Sequence, residues 1–348
     1  MALFEPQAWS HIVAIGKPFL VSPMRWKVTG ALTAIVTLLL MLNGLNVANS
    51  YVGRNFITSI ADRNRPQYVH FAILYLCVFA ASTLVTVMQQ YVQDRLALSW
   101  RQWLTRRLMH HYLTGRTFEH VRAKAEIDNP DQRISQDVHT FTTTLLSFMV
   151  MLFNAFITTV AFAGILWSIT PVLLATAVLY AAFGSVLTIR LGYRLVGLNH
   201  LQLKKEADMR YALIHAREHA RSHEVPEGEQ RRVYAELRRV VQNTKSIIGV
   251  TRNVGFFTSG YNYLVPVLPI LLVAPRYFAG QIEFGVVTQS AMAFAQVLGA
   301  FSLIVVQFQS ISSFAAVIRR LGELWDEMNR GSAGALGNGR KLARSGAR

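Results

Sequence analysis

The chain has 348 residues, of which 52% are hydrophobic and only 16% charged, with a mean hydropathy of +0.29. That balance excludes an ordinary soluble globular protein. Its formal charge of +16 does not point to nucleic acid, because the cations flank long apolar runs, where an anionic lipid leaflet is the natural partner. A single cysteine, Cys77, excludes an intrachain disulfide and any cysteine-based metal site.

Residues 1–27 form a lead segment, after which five stretches carry no Asp, Glu, Lys or Arg: 28–53, 66–93, 138–189, 253–275 and 284–318. A spanning helix needs about 20 apolar residues to cross a hydrocarbon core about 30 Å thick. The third stretch is too long for one span and carries a turn signal at Ile169-Thr170-Pro171, so it is expected to hold two helices. Six spans result. The first run is far longer than a signal-peptide core and is not read as one.

Six spans place the segments before the first, after the second, after the fourth and after the sixth on one side. Those segments hold 31 of the 35 Lys and Arg residues, while Arg54, Arg63, Arg65 and Arg276 lie on the other. The positive-inside rule then predicts both termini in the cytoplasm, and an inner (plasma) membrane location. The fold expected is all-α: six transmembrane helices over 28–318, two long cytoplasmic hairpins at 94–137 and 190–252, and a tail at 319–348, disordered after 330.

Both loops keep helical periodicity. Leu96, Trp100, Trp103, Leu104, Leu108 and Tyr112 recur at spacings of three and four, so the second span is expected to continue into the cytosol as one rod. Leu201–Tyr211 and Val233–Val241 do the same around a break at Pro226-Glu227-Gly228. At the tip of the first loop, Asn129 precedes Pro130, a pair that ends one helix and opens the next. Asp131 then lies in a first turn, where a negative charge suits the helix dipole, and Arg133 can reach a neighbouring acid.

The string Glu126-Ile127-Asp128-Asn129-Pro130-Asp131-Gln132-Arg133-Ile134-Ser135-Gln136-Asp137-Val138 resembles a signature of ABC transporter membrane domains, in the branch of the bacterial SbmA/BacA-like proteins and the peroxisomal fatty acyl-CoA transporters. Glu206-Ala207-Asp208-Met209-Arg210-Tyr211, Arg217-Glu218-His219-Ala220 and Pro275-Arg276-Tyr277-Phe278-Ala279-Gly280 leading to Thr288-Gln289 follow in that branch's order. The resemblance covers about residues 10–328. It implies an exporter-like bundle, a homodimer, and loop tips seated on nucleotide-binding domains. On that basis Asn129, Pro130, Asp131, Gln132, Arg133 and Ile134 would form one coupling element, and Arg217 with Glu218 the other. After that Arg-Glu pair, Arg221-Ser222-His223-Glu224-Val225-Pro226 departs from the branch's acidic, aromatic-containing pattern.

No G-x-x-x-x-G-K-[ST] phosphate loop is present. The nearest string, Gly334 to Arg340, has Arg where Lys belongs and reads as a flexible basic tail. ATP and Mg2+ are therefore expected only through a partner domain, on a separate polypeptide or lost by truncation or frameshift. Drive by protons is the alternative, as is a truncated, non-transporting membrane protein. A proton-coupled carrier generally keeps carboxylates within the membrane. The five stretches have none, and only His70 and His139 fall inside them, each near an end.

Uncharged polar residues form stripes when advanced by about 100° per residue. Asn43, Asn46 and Ser50 cluster on the first span. Ser82, Thr86, Gln89 and Gln93 share a face of the second, Ser147, Asn154 and Thr158 one of the third, and Gln289, Gln296 and Gln307 one of the sixth. Such residues serve as glue between membrane helices or line a wet cavity, and four stripes favour a cavity open to polar or amphipathic cargo; the resemblance implies large or amphipathic solutes such as peptides or fatty acyl compounds. Trp9, Trp26, Tyr51, Tyr68, Trp167, Tyr261 and Tyr277 read as interfacial anchors. No catalytic constellation is found. His215, His219 and His223 repeat every four residues, a spacing better explained as a charged helix face than as a metal site.

Overall fold

The computed structural model describes residues 6–113, 129–218, 225–307, 310–311 and 313–328. Among these residues the fold is all-α, and six helices are long and apolar enough to cross a membrane. A helix α1 (Pro6–Leu20) comes first, and a tight turn leads into α2 (Arg25–Ala61). Helix α3 (Arg65–Leu113) runs back beside α2 as the first hairpin. Helices α4 (Pro130–Ile169) and α5 (Pro171–Glu218) follow, then α6 (Glu227–Phe278), which pairs with α5 as the second hairpin. Helix α7 (Phe284–Val306) and a last helix, α8, over residues 313–328 complete the chain.

The 49 residues of α3 give a rod about 74 Å long at about 1.5 Å per residue, more than twice what a bilayer core needs. The rod expected from the spacing of Leu96, Trp100, Leu104 and Leu108 is thus present. Thr170 alone separates α4 from α5, at the predicted turn. Pro226 caps α6 where the second loop was expected to break. That helix contains Pro266, Pro269 and Pro275 and ends at Phe278; Gly280, two residues on, has φ 70° and closes it, with Gln281 N–H donating to Arg276 O at 3.0 Å.

By compactness the chain divides into two units, Met1–Gly164 with Val306–Arg348, and Ile165–Val305. The first unit has its core at one end of its spans. Ile12, Ile15 and Phe19 of α1, spaced three and four apart, pack with Trp100, Leu104 and Leu108 of α3, Ile134, Val138 and Phe141 of α4, and Phe314, Ile318, Leu321 and Leu324 of α8. Rings link these helices: Phe19 stacks on Trp100 at 5.3 Å, Trp100 meets Phe141 edge-on at 5.8 Å, and Phe141 stacks on Phe314 at 6.0 Å. Along α3, by contrast, Leu76, Phe79, Leu84 and Val87 are left uncovered by the chain. Large apolar side chains in such a row need lipid or another protein against them.

The lead segment contains α1, which supplies part of the core, and within the tail residues 319–328 belong to α8 and bury Leu321, Leu324 and Met328. One expectation is corrected here. The last charge-free stretch is not one helix, because α7 ends at Val306 and Gln307 sits in a turn. Lack of charge reports on environment and says nothing of where a backbone bends. The string Gly334 to Arg340 lies outside the described residues.

In α4, Pro130–Gln132 are α-helical, Arg133–Asp137 form a π-turn, and α geometry resumes at Val138. Burial explains the wide turn. Arg133 with Ile134, Asp137 with Val138, and Phe141 with Thr142 are buried pairs four residues apart, and an ideal α-helix would rotate each pair about 40° past the last. Five residues wound more loosely take up that drift.

Candidate coupling and cargo-facing sites

At the start of α4, Asn129 adopts a left-handed conformation, φ 48°, and Pro130 opens the helix. The expected short capped helix is not separate: it runs through the π-turn into the span, and Asn129 makes no side-chain cap bond. Asn129, Asp131 and Gln132 are exposed, whereas Arg133 and Ile134 face inward. Arg133 finds the acid that its position called for. Its Nη1 donates to Glu323 Oε2 at 3.0 Å and to Arg320 O at 2.7 Å, both on α8.

One turn further on, Asp137, 3% exposed, receives two hydrogen bonds from Arg320, Nε to Oδ2 at 2.8 Å and Nη2 to Oδ1 at 2.7 Å. This fork-to-fork geometry is the strong form of a charge-assisted pair. It raises the pKa of Arg320 above the ordinary arginine value, chiefly through the hydrogen bonds to Asp137. Desolvation opposes the shift, and the charges of Asp137 and Glu323 add to it. Two ion-paired arginines therefore fasten the exposed tip of α4 to α8. Sequence reasoning missed Asp137, Arg320 and Glu323. The available signal was an acid and a base standing just outside the ends of two charge-free stretches.

Arg217 and Glu218 are exposed at the end of α5. His219, His223 and the Arg221-to-Glu224 stretch lie outside the described residues. His215 faces Glu229 at 3.3 Å. Among the described residues no group of three His, Cys, Asp or Glu side chains is placed to hold a metal ion.

Of the polar stripes, six residues meet inside the first unit. Asn43, 2% exposed, donates from Nδ2 to Asn154 Oδ1 at 2.9 Å and accepts at Oδ1 from Thr158 Oγ1 at 2.8 Å, joining α2 to α4. Gln89 donates to Gln93 at 2.8 Å, and Gln93 to Ser147 at 3.1 Å, joining α3 to α4. Here the stripes act as glue. Replacing Asn43 by alanine strands both partners and is expected to cost about 1–2 kcal/mol, measured as a lower midpoint of unfolding in detergent, with the Asn43→Ala/Thr158→Val pair less than additive.

Gln289 is buried and Gln296 exposed, so the sixth-span stripe is not one environment, and Gln307 has left the helix altogether. Gln307 instead lines an open pocket of about 280 Å3 with Thr143, Ser147 and Ser310. Asn46 is half-buried.

In the second unit Tyr261, expected as an interfacial anchor, packs within the α5–α6 hairpin. It stacks on Tyr180 with centroids 4.3 Å apart and planes 7° from parallel, and each hydroxyl donates to the other residue's carbonyl, at 2.8 and 3.2 Å. Gly184, one turn below Tyr180, makes room for the Tyr261 ring. Farther along the hairpin, Asn243 donates to Leu198 O at 3.0 Å and to Gln202 Oε1 at 2.8 Å.

Residues 17–278 match the family described as ABC transporter transmembrane region 2. ABC transporter D family member 2, chloroplastic, from Arabidopsis thaliana is 41% identical over 321 residues, covering 91% of this chain and 46% of its own length. An uncharacterized ABC transporter ATP-binding protein of Synechocystis is 34% identical over 338 residues, 93% of this chain and 51% of its own. The human lysosomal cobalamin transporter is 25% identical over 280 residues, 76% and 46% respectively. The chain thus spans about half the length of these curated relatives. The family match runs from the last turn of α1 to the last residue of α6, through both hairpins, and the chain belongs to the ABC transporter transmembrane region 2 family.

Proposed function

We propose that this chain is the membrane-embedded part of an ABC transporter that works as a homodimer. By alternating access it moves a bulky or amphipathic solute, such as a peptide or fatty acyl compound. ATP and Mg2+ are held by a nucleotide-binding domain that docks on residues 129–134 and on Arg217 and Glu218. Both termini face the cytoplasm, a reading supported by the cation distribution. The motif strings favour the SbmA/BacA-like and peroxisomal acyl-CoA branch. Asn46, Gln296 and Gln307 remain the stripe residues best suited to face cargo, since Asn43, Asn154 and Thr158 are spent on one another.

The observation that carries this reading is the fastening of the α4 tip to α8. Asp131 and Gln132 offer themselves outward, while Arg133 and Asp137 behind them are tied to α8 by ion pairs. A push on the tip is handed to two helices together. The names of relatives agree with such a motor, as one carries "ATP-binding protein" and another is named for cobalamin, a bulky cargo.

Reversing the charge of Asp131 to lysine tests it. The side chain is exposed and makes no ion pair among the described residues, so unfolding should not move. ATP-driven uptake by the assembled transporter in vesicles should fall by about tenfold or more, since a mismatched charge at an interface costs several kcal/mol. Uptake unchanged in Asp131→Lys, or uptake that an uncoupler abolishes while ATP depletion leaves it intact, would remove this reading.

A further inference from the structure

Between α1 and α2 the chain turns through residues 21–24, and that turn leaves a pocket of about 680 Å3 against the flank of α3. Ser22, Met24, Ser99, Trp103, Arg106 and Arg107 are among its lining residues, and no acid is. Ser22 is 5% exposed, and its hydroxyl has no hydrogen-bond partner among the described residues. A buried hydroxyl left unpaired is costly, so its place in a pocket wall calls for an occupant that accepts its proton. The guanidinium of Arg107 is held over Trp103 at 5.2 Å and Trp325 at 5.4 Å. Its orientation is thereby fixed, with its charge intact. Arg106 is exposed and makes no ion pair among the described residues.

Two arginines and a hydroxyl with no carboxylate nearby are the donor set of a phosphate site. What surrounds them is apolar. One face of α1 buries Ile12, Ile15 and Phe19, while Trp9 and Leu20 on the rest of its surface, Val21 in the turn after it and Trp26 in the first turn of α2 are exposed, Trp26 at 79%. A helix so divided lies along the headgroup level of a bilayer with its uncovered side in the acyl boundary. The mouth of the pocket is therefore bordered by residues that suit lipid tails, which a soluble anion would not need.

We propose that this pocket binds the headgroup of an anionic phospholipid. Arg106 and Arg107 hold the phosphate, Ser22 donates to one of its oxygens, and the glyceride stem leaves past Val21 and Met24 toward the exposed apolar side of α1. A lipid seated there joins α1 to α3 at the level where the aromatic core of the first unit begins. This site is separate from the coupling residues and does not rest on their assignment.

Purified, delipidated protein in mild detergent is titrated with phosphatidylglycerol and bound lipid counted by native mass spectrometry. One lipid per chain should bind saturably. Arg106→Gln and Ser22→Ala should each weaken it about tenfold, the scale of one charge-assisted hydrogen bond. Arg95→Gln, on the same helix but outside the pocket, should not. Ser22→Ala removes only an unpaired hydroxyl and carries the test by itself if Arg106→Gln does not fold. Equal binding of phosphatidylcholine, or equal weakening by Arg95→Gln, would overturn the site. Displacement of the lipid by glycerol 3-phosphate at matching concentration would overturn the lipid assignment in favour of a soluble phosphate.

Discussion

Alanine in place of Asp137 should destabilise the protein by about 2 kcal/mol and lower its yield in membranes. The carboxylate is 3% exposed and accepts both arms of Arg320. Removing one partner of a buried pair costs about 3–5 kcal/mol, because the other is left charged and poorly solvated. Here Arg320 is 40% exposed in its side chain, so water recovers part of that loss and the smaller figure applies. A raised arginine pKa means that the arginine's share of the stabilisation is fully present below its unfolded pKa and fades only as pH rises through the folded one. Arg320 thus stays charged at every working pH, and the penalty of Asp137→Ala should not vary with pH on its account. Unfolding midpoints in detergent for Asp137→Ala, Arg320→Ala and the double variant give the coupling directly. Additive losses would mean that the fork contributes nothing beyond its parts.

Alanine at Gly184 should cost about 1–3 kcal/mol and separate the second hairpin at its aromatic clasp. A Cβ there would run into the ring of Tyr261, which is held against Tyr180 by stacking and by two hydroxyl-to-carbonyl bonds, so neither ring can yield alone. Gly197, on the same helix, has open space around its would-be Cβ. Alanine at 197 should gain about 0.5–1 kcal/mol from helix propensity, giving two Gly→Ala changes in α5 of opposite sign. Near-ultraviolet circular dichroism should report loss of the tyrosine stack in Gly184→Ala only. Equal stability of the two variants would mean that the clasp relaxes freely.

Much of this architecture is legible in the amino acids because the bilayer allows few alternatives. Charge-free length marked where the spans lie though not where the last one ends, Thr170-Pro171 marked the turn between α4 and α5, and the three-four spacing of Leu96 to Leu108 the extension of α3 beyond its span. What could not be read depends on partners distant in sequence. Asp137 and Arg320 are 183 residues apart, and no local pattern says which acid will meet which base. Ile12, Ile15 and Phe19 of the fifteen-residue α1 show helical spacing, but that spacing does not say which distant residues of α3, α4 and α8 they meet. The polar residues of α2, α3 and α4 share faces with their helical spacing, whereas the stripe expected on the sixth span breaks at Gln307, which lies in a turn. Whether such a face meets another helix or water is a property of the neighbour, and for Asn43 the neighbour is Asn154.

The loosely wound turn at Arg133–Asp137 ties two distant events together. Every residue after it in α4 owes its angular position to those five residues. Were they to tighten to ordinary pitch, the rod beyond would swivel by about 100°, the angle of one residue. Asn154, twenty positions along from Ile134, would then swing off Asn43, and a polar knot deep among hydrocarbon would come undone. A twist applied at the tip of this helix can thus be felt some 30 Å away with no side chain relaying it, since the backbone itself is the shaft.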